Sequence, residues 1–187
     1  MQIILASQSI FRRKALDILG LQYKIIPSNF DEKSLRHDNP LELAKKLAEA
    51  KALEVSKGRL DSIIIAADLF VTMNRKIYEK PADEKEAMEM LAAFSGNSIE
   101  IISGLAVYNT ATKKMLSSTD TCRAKFRELN NHEIEDYVSR YPVTKFAGAF
   151  DADGLLRFAE SVNGTSFQTG MPVNALIQFL RENGVNV

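Results

Sequence analysis

Cations beside small hydroxyls, and carboxylates placed after apolar runs, are the groups in this sequence with the means to do chemistry. Ser7 and Ser9 lie between an apolar run, Ile3-Ile4-Leu5-Ala6, and a segment with Arg12 and Arg13 in which Ile10, Ala15, Leu16 and Leu19 recur at helical spacing. A strand–serine–helix junction of this kind suits an anion. The first N–H groups of a helix lack intrahelical partners, and the macrodipole adds partial positive charge there. Serine hydroxyls and an arginine fork supply further donors. One reading is a phosphate cradle of Ser7, Ser9 and Arg12; the other is a helix capped by Ser9 with solvated arginines. Asp68 follows Ser62 to Ala67, SIIIAA, the most apolar short run in the chain. A carboxylate past the end of a central strand sits where α/β folds place their ligand crevice. Asp31-Glu32 falls in a polar stretch from Asn29 to Asn39 and is either solvated or a source of oxygen ligands for a hard cation. Lys51, bracketed by apolar residues in LAEAKAL, either snorkels outward or points into a polar site.

The elements that must position these groups alternate. A strand is expected from Leu21 to Ile26 and a helix from Pro40, at its first position, to about Lys57. Ser62–Ala67 reads as a doubly covered strand ending at Asp68, with Leu69–Met73 extending or restarting it. Asn74-Arg75-Lys76 looks like a hairpin turn into Ile77-Tyr78, and Pro81 stops that strand while holding Lys80 extended. Asp83 caps a helix to Phe94; strands are expected over Ile99–Asn109 and Met115–Phe126, then a short helix through Tyr137-Val138. Pro142 to Gly154 is irregular, with Ala147-Gly148-Ala149 small enough to let a ligand or a backbone approach. Leu155–Val162 reads as a strand, Gly164–Pro172 as a loop and Val173–Glu182 as a closing helix. Alternation with inserted hairpins predicts a mixed sheet in an α/β protein.

Composition narrows the function. At 187 residues, 45% hydrophobic and 26% charged, the chain is an ordinary globular one long enough for a real core. Lys+Arg and Asp+Glu both number 24, so broad capture of nucleic acid, which needs a basic surplus, is not expected. No apolar run reaches membrane-spanning length and no targeting segment is visible. A single cysteine, Cys122, allows no internal disulfide and fits a reducing cytoplasm, with a buried inert thiol expected. His37 and His132 form no metal-cage spacing.

Taken in order, L-A-S-x-S-x-x-R-R at Leu5–Arg13, D-E at Asp31-Glu32, A-x-x-K-A at Ala48–Ala52, Asp68, E-K-P at Glu79–Pro81, S-G at Ser95-Gly96, A-G-A-F at Ala147–Phe150 and G-x-P at Gly170–Pro172 resemble the Maf family of nucleoside triphosphate pyrophosphatases. The resemblance covers nearly the whole chain as a single Maf-like domain. It implies a bilobed α/β fold around a cleft, a divalent cation (Mg²⁺ or Mn²⁺), and hydrolysis between the α- and β-phosphates to a nucleoside monophosphate and pyrophosphate. It also implies that Ser7, Ser9, Arg12, Lys51 and Lys80 hold phosphates, that Glu32 and Asp68 serve the metal and the attacking water, and that Asp68 accepts the proton. An aspartate beside a cation is expected to stay ionised, as a base must.

Ile10 stands where the family usually has proline, and Leu69 where it has threonine or glutamine. The branch acting on dTTP and UTP tends to have arginine at the Phe11 position and glutamine at the Asp153 position, whereas the 7-methyl-GTP branch has an aromatic and an acid. Phe11, Leu69 and Asp153 are thus the expected base-selectivity positions, and Phe11 with Asp153 resembles the second branch. An aromatic face stacks on a cationic methylated guanine, and a carboxylate accepts from its N1–H and amino edge. The expected partner is a nucleoside triphosphate, and the family's frequent dimers leave a homodimer open. The competing reading is a nucleotide-binding regulatory protein of weak turnover, linked to division or septum control. A single-strand nucleic-acid binder is disfavoured by the zero net charge.

Overall fold

The computed structural model describes all residues, 1–187, and divides them into two compact units. The first comprises Met1–Leu69, Ser103–Asp120 and Gln168–Val187; the second comprises Phe70–Ile102 and Thr121–Phe167. The elements run β1 (Gln2–Leu5), α1 (Ile10–Ile18), β2 (Tyr23–Ile25), α2 (Pro40–Ser56), β3 (Ser62–Met73), β4 (Lys76–Tyr78), α3 (Glu84–Phe94), β5 (Ser98–Asn109), β6 (Lys114–Phe126), α4 (Asn131–Arg140), α5 (Ala152–Phe158), β7 (Ala159–Asn163), α6 (Ser166–Thr169) and α7 (Val173–Glu182). Strand order is β2-β1-β3-β5-β6-β7, with β4 on β3, a mixed α/β arrangement as expected.

In the first unit β1 pairs in parallel with β2 and β3, in the register Ile3↔Tyr23 and Ile3↔Ile63. Alternation along β3 sorts its apolar run onto two faces. Ile63, Ile65 and Ala67 pack with Leu5, Leu16, Leu176 and Leu180. Ile64 and Ala66 pack with Ile4, Ala6 and the α2 residues Ala48, Ala52 and Val55. Asp68 has the parity of Ile64 and Ala66, so β3 delivers it to the α2 side. Of the two expectations for Leu69–Met73, extension holds: β3 continues to Met73, so Asp68 lies inside the strand and not at its end. Its carboxylate is tolerated there because α2 brings a counterion.

Helix ends follow their caps. Ser9 Oγ accepts from Arg12 N at 3.5 Å, and Asn39 Oδ1 accepts from Leu41 N at 2.9 Å with Pro40 next in line. Asp83 Oδ1 takes Glu86 N at 2.8 Å, and Asn130 with Glu133 closes a capping box on α4.

The second unit is held by aromatic packing. Phe94 meets Tyr78 edge-on at 4.8 Å and Phe126 at 5.6 Å between centroids, and Tyr137 meets Phe158 at 4.8 Å. β3 and β4 pair antiparallel through a turn in which Asn74 and Arg75 have φ of 52° and 65°. The expected strand Leu155–Val162 is corrected: residues to Phe158 are helical, and only Ala159–Asn163 form β7, antiparallel to β6. Asp151 decides this, because its Oδ1 accepts from Gly154 N at 2.8 Å and starts a helix where the apolar run alone reads as a strand. The expected 164–172 loop likewise contains the short α6.

Tyr137 supports the same cap by donating to Asp151 Oδ1 at 3.2 Å. Burial, with the neighbouring Asp151 charge, raises the phenol pKa above its ordinary value near 10. The folded chain therefore holds this proton more tightly than the unfolded one. The resulting stabilisation is complete below the ordinary tyrosine pKa and is lost as pH rises through the alkaline range. Tyr137→Phe is expected to flatten the fall in stability between about pH 10 and pH 11.5, measured by urea unfolding at each pH.

Candidate active site

Past the end of β1, Ser7 is buried, with its Oγ accepting from Ser9 N at 3.2 Å. Arg12, on the first turn of α1, donates from Nη1 to Ser7 Oγ at 3.1 Å and from Nε to the Gly170 carbonyl at 3.2 Å. The guanidinium is fixed by the segment leading into its own helix and by the distant Gly170, with donors to spare. Burial lowers its pKa from the ordinary arginine value, and the charges of Asp68 and Glu32 oppose that shift. The solvated-arginine reading is thereby corrected. Arg12 is half-buried and electrostatically coupled to both carboxylates, and the Nε of half-buried Arg13 is shielded from solvent. Ser9 caps the helix as anticipated.

Lys51 does not snorkel. It is 8% exposed on α2, and its ammonium hydrogen-bonds to Asp68 Oδ1. The same nitrogen is 2.8 Å from Glu32 Oε1. Asp68 is 6% exposed, whereas the Glu32 side chain is 56% exposed. Of the Asp31-Glu32 pair only Glu32 reaches Lys51; Asp31 instead shapes the turn, its Oδ1 accepting from Lys33 N at 3.0 Å. The loop leading to Glu32 is tied to α2 by Glu54, whose Oε2 accepts from Ser28 Oγ at 2.9 Å and Asn29 N at 3.2 Å. Arg12, Ser7, Lys51, Glu32 and Asp68, from four separated stretches of chain, thus form one connected polar group within the first unit.

Phe11 is half-buried, with Lys14 Nζ 5.9 Å from its ring centroid. Leu69 is half-buried and, by strand alternation, faces away from the Asp68 side of β3. Lys80 and Asp153 belong to the second unit and are exposed, Lys80 just after β4 and Asp153 on the first turn of α5. The Lys80 segment is held by Gly148, whose N–H donates to the Glu79 carbonyl at 3.0 Å. Gly148 has φ of 68°, and a Cβ there would lie 2.8 Å from Val71 Cγ2, so the small A-G-A stretch serves a close backbone approach.

Two carboxylates that reach the same cationic nitrogen fit a hard divalent ion. Mg²⁺ is commonly held by one or two protein carboxylates, with waters and substrate phosphates completing the shell. No group of three or more His, Cys, Asp or Glu stands ready as an all-protein cage.

The family model for Maf-like proteins matches residues 2–183. The chain belongs to the Maf-like family. Among its relatives, a dTTP/UTP pyrophosphatase of Clostridium botulinum (strain Kyoto / Type A2) is 39% identical over 99% of this chain and 98% of its own length. Another dTTP/UTP pyrophosphatase, from Clostridium perfringens (strain SM101 / Type A), is 35% identical over the full length of both chains. Among solved structures, a HAM1 protein from Coxiella burnetii aligns with a TM-score of 0.53 and 17% identity, covering 97% of this chain and 99% of that one, a likeness of fold.

Two features of this Maf-like chain escaped the sequence reading. Glu54, half-buried on α2, left no local mark as anchor of the Glu32 loop, because a glutamate on a helix is commonplace. The Gly170 carbonyl that fixes Arg12 was foreshadowed only by the G-x-P motif. No helix of this Maf-like chain is long and apolar enough to cross a membrane. Cys122 is fully buried, with Sγ 3.2 Å from Ser166 Oγ.

Proposed function

We propose that the chain is a nucleoside triphosphate pyrophosphatase, cleaving between the α- and β-phosphates to give a nucleoside monophosphate and pyrophosphate. The observation that carries this reading is the buried Lys51–Asp68 pair with Glu32, electrostatically joined to the fixed Arg12. A carboxylate among cations is a base suited to activating water, and the cations offset charge on transferring phosphoryl oxygens. Asp68 takes the proton of the attacking water; Arg12, Ser7 and Lys51 hold the phosphates. Glu32 and Asp68 would hold Mg²⁺ or Mn²⁺, which supplies Lewis-acid polarisation of a phosphoryl oxygen and a lowered water pKa.

The names of the similar relatives favour dTTP and UTP as substrates. A second reading, 7-methyl-GTP, is favoured by Phe11, an aromatic face beside the proposed phosphate cradle and suited to a cationic base. Pyrophosphate release from dTTP, UTP, GTP and 7-methyl-GTP with Mg²⁺ or Mn²⁺ separates them. The preferred base is the one with the highest kcat/KM. Nucleotide binding without release of pyrophosphate from any of the four would favour the regulatory binder instead.

Arg12→Lys tests the cradle. Lysine keeps the charge, but a single ammonium cannot reproduce a fork that spans Ser7 and Gly170 while facing a phosphate. KM for the triphosphate is expected to rise by about tenfold, with a smaller change in kcat.

A further inference from the structure

We propose that Lys51 excludes free divalent cations from the carboxylate pair, so that the metal is admitted together with the triphosphate and not ahead of it. This rests on the pyrophosphatase reading of the cluster. The Lys51 ammonium occupies the point where Glu32 and Asp68 converge, 2.8 Å from one and hydrogen-bonded to the other. A divalent ion bound by both carboxylates needs that same point, and two cations cannot share it. Lys51 is itself buried on α2, in a stretch where Ala48 and Ala52 are fully buried, so the ammonium has little room to retreat unless a new anion draws it away. A metal-bound triphosphate supplies both parts of the exchange. Its cation takes over the carboxylates, and its phosphate oxygens receive the displaced ammonium. A free cation brings only the first part, and its entry leaves a lysine buried without a counterion, which is costly.

The test is Mn²⁺ binding to the substrate-free protein by titration calorimetry, with wild type, Lys51→Met and Lys51→Gln. Both variants are expected to bind Mn²⁺ tighter than wild type, on the order of tenfold, because the competing charge is gone. Equal or weaker binding in the variants overturns the proposal. Should either variant fail to fold, wild type alone decides through acetylation by an N-hydroxysuccinimide ester, read by mass spectrometry. Lys51 is expected to be modified at the same rate with millimolar Mn²⁺ as without it, as are exposed Lys46 and Lys57, because the free cation does not displace the ammonium. A Lys51 rate that rises with Mn²⁺ alone overturns the proposal. Neither measurement contains nucleotide. Tighter Mn²⁺ binding in the variants with no pyrophosphate release by wild type would retire the enzymatic reading and leave the competition standing, and the reverse pattern would do the opposite.

Discussion

Asp68→Asn is expected to lower pyrophosphate release by about a thousandfold while leaving the fold intact. Asparagine has the size of aspartate and keeps an oxygen where Lys51 donates, so the β3–α2 contact survives. Lys51 also keeps a charged partner in Glu32 at 2.8 Å, which limits the loss of stability to below about 2 kcal/mol. What disappears is the ability to accept a proton from water, since an amide is not a base at neutral pH. The check pairs a pyrophosphate assay on the preferred triphosphate with thermal melting of both proteins. Equal turnover in wild type and variant would remove Asp68 from the chemistry.

The largest expected effect on stability lies away from the reacting groups, at Gly104 on β5. A Cβ built there would lie 2.2 Å from the Ala44 carbonyl oxygen, 2.4 Å from its carbon and 2.8 Å from Lys45 N. These are backbone atoms of α2, so no side chain can swing aside. The need is for space and not for an unusual backbone angle. Gly104→Ala must push the whole helix off the sheet, and the expected cost is about 3 kcal/mol or more. Because α2 carries Lys51 two turns further on, the displacement also loosens the Lys51–Asp68 contact. Gly58→Ala is the contrasting control: φ is 74° but nothing lies within 4 Å, so only backbone strain of about 1–2 kcal/mol is expected. Urea midpoints for the two variants compare the two costs. A Gly104→Ala protein as stable as wild type would mean that β5 and α2 are further apart than described.

Much of this architecture was legible because local signals agreed with one another. Pro40 after Asn39, Asp83 before an apolar helical stripe, and Asn130 three residues ahead of Glu133 each mark a helix start that the structure uses. The reading failed at Leu155–Phe158, where an apolar run fits either period and Asp151, outside the run, settles the matter through one hydrogen bond.

By itself the sequence determined the inventory: a serine turn with an arginine behind it, a lysine set in an apolar helix stripe, and a carboxylate carried on the most apolar strand. It could not say that Lys51 and Glu32 meet Asp68, because each choice between solvent and site was open within its own segment. Tertiary structure decided it through two geometric facts. Alternation along β3 turns Asp68 to the side that α2 covers, and Glu54 on α2 draws the Glu32 loop onto the same helix. Once α2 covers that face, water is excluded, and an isolated charge there would be costly. Lys51 and Asp68 must therefore find one another, while the more exposed Glu32 is brought to them by its tethered loop.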